Sequence, residues 1–200
     1  MRKTLHVLSC GIFQPELERI FTELKDDLAD YEIAVDFIPP GLHVNNDKLG
    51  KGIAAGLTSL KEDKILLLYG SMCHPDLAEI VKEYDLIYPE MPNCVEIMLS
   101  PARKKELDQG GNIFYMTAGW LKYWHEIFQQ EQGWDETDAR INFGFYDKIV
   151  VLDSGCFDID EEEMFCFFDY TQIPIEVEPI DLEHFKTVIL DLCTKAFAAS

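Results

Sequence analysis

Four of the six cysteines, Cys10, Cys73, Cys94 and Cys156, each follow a short apolar run and precede a segment of helical character. Thiolates bind soft and borderline metals and attack electrophiles, so thiols gathered from distant parts of a chain point to a zinc ion, an iron–sulfur cluster or a nucleophile. Cys73, before His74 and Pro75, and Cys94, after Asn93, stand at helix starts, where the positive end of the helix lowers a thiol's pKa. No CxxC pair is present to supply a local zinc or redox motif. Free cysteine is also a small hydrophobe that is commonly buried, and Cys166 and Cys193, inside apolar helical patterns, read that way. His43, after Pro39-Pro40-Gly41-Leu42, is placed as a ligand, as an acid–base group near neutral pH, or as a cap of the next helix. His74 reads as a helix cap or a fourth ligand, with the cap favoured. Glu90 and Asp153 are the carboxylates nearest to strand ends, and Tyr69, Tyr115 and Trp120 are candidates for an apolar pocket wall.

These side chains share one place only if the apolar runs are parallel strands. The pattern predicts strands over 5–9, 31–38, 64–69, 86–91, 113–117, 148–153 and 175–180, alternating with helices over 15–29, 45–60, 75–83, 118–130, 160–170 and 181–197. Pro15 suits the first helical position, and Asn93 with Glu96 three residues on fits a capping box. The stretch 133–146 lacks periodicity and reads as a loop with some helix. The alternation predicts an α/β fold, a Rossmann-like or flavodoxin-like, mostly parallel sheet with helices on both faces, open to construction from two similar halves. In a flavodoxin-like order of 2-1-3-4, the strands leading to Cys10, Cys73 and Cys94 are neighbours about 4.8 Å apart, and their ends form the edge where such folds bind ligands.

A chain of 200 residues, 48% hydrophobic, predicts one α/β domain over 1–200. Its 37 acidic against 17 basic residues give a formal charge of -20, a poor match for nucleic acid or an anionic membrane. Arg2 and Lys3 precede an apolar run that is interrupted by His6 and too short for a signal peptide, and no run is long enough to cross a bilayer. The expectation is a cytoplasmic protein with reduced thiols. No GxGxxG, P-loop, GxSxG or HExxH motif appears.

The order Ser9-Cys10-Gly11-Ile12-Phe13, Pro39-Pro40-Gly41-Leu42-His43, Tyr69-Gly70 with Cys73, Asn93-Cys94, Thr117-Ala118-Gly119-Trp120 and Leu152-Asp153-Ser154-Gly155 resembles the family known as domain of unknown function 1638 over nearly the whole chain. Members are associated with methanogenic archaea and anaerobic bacteria, near corrinoid-dependent methyl-transfer systems. Carried over by position, the resemblance matches Cys10, His43, Cys73 and Cys94, while Cys156 departs from it. Together with the strand-end reading it narrows the expected site to Cys10, Cys73 and Cys94 as ligands of zinc or an iron–sulfur cluster, with His43, Tyr69, Gly70, Glu90 and Trp120 around a bound group. The role implied is in anaerobic one-carbon or methyl-transfer metabolism, with a small molecule or a corrinoid or methyl-transfer protein as partner. The alternatives are a metal-free small-molecule-binding module, in which the cysteines are packing, and a thiol-dependent enzyme with one activated cysteine and His43 as base.

Overall fold

A computed structural model describes residues 3–60 and 64–198; Arg2, at the basic start of the chain, lies outside them. β1 (Lys3–Cys10) leads through a 3-10 turn (Gly11–Phe13) into α1 (Gln14–Glu23), and β2 (Tyr31–Ile38) through a second 3-10 turn (Pro40–Val44) into α2 (Asn46–Ser59). β3 (Lys64–Leu68), α3 (Leu77–Val81) and β4 (Leu86–Ile87) follow, then α4 (Cys94–Met98) and α5 (Pro101–Leu107). The remainder is β5 (Ile113–Thr117), α6 (Ala118–Lys122), a π-helix (His125–Glu131), α7 (Glu136–Phe143), β6 (Lys148–Asp153), α8 (Glu161–Thr171), β7 (Ile175–Pro179) and α9 (Glu183–Ala198).

The strands are parallel and flanked by helices, as the alternation predicts. They form two sheets instead of one: four strands ordered β2-β1-β3-β4 and three ordered β5-β6-β7. Strands β3 and β6 are nearly continuous apolar runs because both of their faces are covered. In the first sheet, β1 and β3 are neighbours whose onward connections leave in opposite directions, toward β2 and β4. Helices therefore cover opposite faces on either side of this pair, and its carboxyl ends are the switch point where folds of this kind bind ligands.

Each sheet has its own core. The first gathers aliphatic side chains of β1, β3, α1 and α2 with α9, which returns from the end of the chain to pack on β3, β4 and α4. Phe185 of α9 meets Phe13 with ring centroids 5.0 Å apart, and Phe197 stacks on Tyr31 at 4.0 Å. The second is aromatic, with Phe167 packed among Trp124, Phe128 and Phe143.

Several boundaries differ from the sequence expectation. The fourth strand pairs only at Leu86 and Ile87, and residues up to Pro92 are irregular. The helix expected over 118–130 breaks into α6 and the π-helix, while α1 stops at Glu23. The stretch 133–146 contains α7, stapled by a reciprocal capping box between Asp135 and Asp138. That box is acid-to-acid, so the usual Ser/Thr…Glu pattern does not reveal it.

Candidate functional site

Cys10 is the last residue of β1 and only 3% exposed. Beside it, Tyr69 follows β3 and is 1% exposed. The next residue, Gly70, lets two backbones touch: a Cβ there would lie 2.5 Å from Asn93 Cα, Asn93 N and Pro92 O. Hydrogen bonds from Ser71 N to Met91 O (2.8 Å) and from Met72 N to Pro92 O (2.9 Å) hold this approach. Asn93 caps α4 by accepting from Glu96 N at 3.1 Å, and so delivers Cys94 to the same edge. Cys73 N donates to Gly70 O at 3.0 Å, which curls Cys73 back beside the other two. The three thiols consequently lie within electrostatic reach of one another.

Burial decides their protonation. Desolvation pushes the Cys10 thiol up to about 12 and the Cys73 thiol to about 11, and raises Cys94 further, with Cys73 adding to the rise at Cys10 and both Cys73 and Cys10 adding to it at Cys94. Backbone N–H groups at the start of α4 oppose the rise at Cys94 but are outweighed. The expected thiolate stabilisation at helix starts is thus overturned: α4 is one short turn, His74 to Asp76 separate Cys73 from α3, and both thiols are largely out of water. The Tyr69 hydroxyl lies against the Cys10 thiol, a weak partner, and has no oxygen or nitrogen partner. Burial, followed by the Cys10 and Cys73 charges, raises its pKa as well.

The second half closes over this edge. Gly119 in α6 presses on the turn after β1, where a Cβ would come within 2.5 Å of Ile12 O. Thr117 Oγ1 accepts from Trp120 N at 3.2 Å and starts α6 with Trp120 turned toward His43, whose ring it meets edge-on at 5.4 Å. Both His43 Nδ1 and Trp120 Nε1 are buried without a hydrogen-bond partner. Burial pushes the His43 pKa down to about 4, so the imidazole is neutral at physiological pH. Ser154, after β6, donates to Glu16 Oε1 at 2.7 Å; Glu16 is fully buried, and its Oε2 is unpartnered. Burial raises the Glu16 pKa against the opposing Ser154 bond.

The structure therefore brings together Cys10, Tyr69, Gly70, Cys73 and Cys94, and pairs His43 with Trp120. It does not bring Glu90, which is exposed in the irregular segment after the short β4. Asp153 is spent on a turn, Oδ1 accepting from Gly155 N at 2.8 Å. His74 is a structural residue: Nδ1 accepts from Asp76 N, which leaves Nε2–H to donate to Asn46 O. Cys156 stands apart beside Arg19. Cys193 is core as expected, whereas Cys166 is exposed, because it lies on the outer side of α8. Glu16 and Ser154 escape sequence reasoning, since an acid in a first helical turn and a serine after a strand look ordinary.

Three thiols suit zinc or an iron–sulfur cluster chemically. Their arrangement does not: among the described residues, no group of three or more His, Cys, Asp or Glu side chains could hold a metal ion as placed. The best-formed cavity, about 430 Å³, lies at the ends of β5 and β6 against Ala118, Leu121, Lys122 and Phe157, and no thiol lines it.

Fold and site define a parallel α/β protein with three buried thiols near one another beyond the strand ends of its first sheet. The chain belongs to the family described as "Protein of unknown function (DUF1638)", whose model matches residues 37–189. That span includes His43, Tyr69, Cys73, Cys94 and Trp120 and leaves out Cys10, so it is shorter than the resemblance in sequence suggests. No curated protein matches the chain. The crystal structure of the ydeN gene product from B. subtilis is similar over 98% of this chain and 99% of that one, at 10% identity and a TM-score of 0.35, too distant to bear on fold or site. Among the described residues, no helix is long and apolar enough to cross a membrane.

Proposed function

We propose that the chain binds a small molecule at the switch point beyond the carboxyl ends of β1 and β3, with Cys10, Cys73 and Cys94 as neutral thiols beside it. One observation carries this reading. Tyr69 Oη, His43 Nδ1, Trp120 Nε1 and Glu16 Oε2, from segments following four different strands, are all buried without an oxygen or nitrogen partner. A buried polar atom left unpaired costs about 1–3 kcal/mol, and several together call for a partner from outside the chain. Native against denaturing mass spectrometry of the purified protein tests it. A noncovalent mass that is carried by the wild type and lost from Tyr69→Phe and Trp120→Phe is expected. A wild type that carries no added mass and takes up none from a cell extract rules the reading out.

A second reading, ligation of zinc or an iron–sulfur cluster by Cys10, Cys73 and Cys94, is favoured by three thiols meeting from three strand ends. It requires their side chains to leave the rotamers seen here. Elemental analysis of anaerobically purified protein tests it: metal that is stoichiometric and lost on Cys→Ala at these positions supports it, and trace metal insensitive to those changes removes it. A place in methyl transfer with a corrinoid protein rests on the family resemblance, and a cytoplasmic setting on reduced thiols. The charge of -20 supports the absence of a nucleic-acid partner. Thiol catalysis is the weakest alternative, because all three clustered thiols are pushed up in pKa.

A further inference from the structure

The outer face of α8 leaves aromatic side chains uncovered. Phe165 is 63% exposed and Phe168 37%, on a helix whose inner face, Phe167 and Tyr170, is already buried in the aromatic core. Glu161, Met164, Phe165 and Phe168, with Pro174 and Ile175, line a shallow, open groove. Their spacing of i, i+3, i+4 and i+7 makes two turns of ridge, about 10 Å long, which is the complement of a helix and not of an extended strand. An apolar groove of this kind on a soluble domain marks an interaction site.

Charge selects the occupant. Glu161, Glu162 and Asp169 are exposed on the same helix, and none makes an ion pair among the described residues. A second copy of this chain would bring the same acids against them, on a protein that already carries -20. Lysine or arginine on the occupant would neutralise them, and arginine would also stack on the exposed phenyl rings. We propose that this groove takes a basic amphipathic helix of a partner protein, its apolar face on Phe165 and Phe168 and its cations on Glu161, Glu162 and Asp169. The site is independent of the three thiols, which lie beyond the strand ends of the first sheet.

The probe is a synthetic peptide of about fourteen residues, leucine along one helical face and lysine on the rest, with a twin carrying glutamate for lysine. Fluorescence anisotropy with the full chain should show binding of the lysine peptide and not of its twin. The pair Phe165→Ser and Phe168→Ser should weaken binding about tenfold or more. The set Glu161→Gln, Glu162→Gln and Asp169→Asn should weaken it and flatten its salt dependence. These positions are on the surface, and circular dichroism confirms that the variants fold. No binding, equal binding of both peptides, or binding untouched by the phenylalanine changes overturns the proposal. So does a wild-type dimer in sedimentation that those changes dissolve, which gives the groove to a second copy, or vesicle binding that they abolish, which gives it to a membrane.

Discussion

Ser154 Oγ donates a 2.7 Å hydrogen bond to Glu16 Oε1, and this bond ties the loop after β6 to the first turn of α1. It joins elements of the two sheets through a carboxyl group that has no other hydrogen-bond partner at Oε2 and no ion pair of its own among the described residues.

Glu16 should therefore make stability fall with rising pH. Its pKa in the folded chain is raised by burial, so the folded state binds more protons than the unfolded one above the ordinary glutamate value of about 4.3. The contribution is fully present below that value and is lost as pH rises through the raised one. Glu16→Gln keeps the shape and removes the ionisation. Urea midpoints followed from acid to slightly alkaline pH should show the variant gaining on the wild type as pH increases; parallel curves would show that Glu16 does not titrate in this range.

Gly70 and Gly119 should reject alanine. At both positions a Cβ would sit 2.5 Å from backbone atoms of another segment, Asn93 and Pro92 in one case and Ile12 in the other, and backbone cannot rotate aside. Each substitution should cost about 1–3 kcal/mol in chemical denaturation. Gly133, with nothing near its Cβ direction but a φ of +70°, is the control in which cost comes from backbone conformation alone.

Alkylation should sort the cysteines by exposure and pKa. Cys166 is exposed and should react first with iodoacetamide. A thiol at about 11, as at Cys73, is ionised in roughly one molecule in ten thousand at pH 7, and Cys10 is both buried and higher. Peptide mapping after timed quenching should show Cys10, Cys73 and Cys94 lagging, with Cys73 accelerating about tenfold per pH unit. Fast neutral-pH modification of Cys73 would revive the thiol-enzyme reading.

Tyr69→Phe should separate binding from folding. The hydroxyl has only the Cys10 thiol, a weak partner, to lose, so removing it should leave stability within about 1 kcal/mol of the wild type or improve it. The same change should reduce retention of any molecule bound at the switch point. A marked loss of stability without ligand would assign Tyr69 a structural bond instead.

Local patterns were readable where local physics governs. The apolar runs of β1, β3 and β6, Pro15 at the start of α1 and Asn93 as the cap of α4 all follow from spacing and residue type over a few positions. The approach of Cys10, Cys73 and Cys94 is legible only in part: Cys10 ends β1, but Cys73 and Cys94 lie in turns well beyond β3 and the short β4 and are brought near by the contact of Gly70 with Asn93. The bounds of α7, within a stretch read as a loop with some helix, are not legible, since its stability comes from an Asp–Asp capping box and from Phe143 inserted among Phe114, Phe128 and Phe167.

The sequence by itself determined a parallel α/β protein and the strand ends that carry its thiols, because side-chain periodicity and chain connectivity are properties of neighbouring residues. Tertiary structure alone decided that there are two sheets, that burial outweighs the helix start at Cys94, that Cys166 faces out and Glu90 away, and that Glu16 meets Ser154. Each depends on which surfaces come together and exclude water, a property of contacts between segments far apart in the chain.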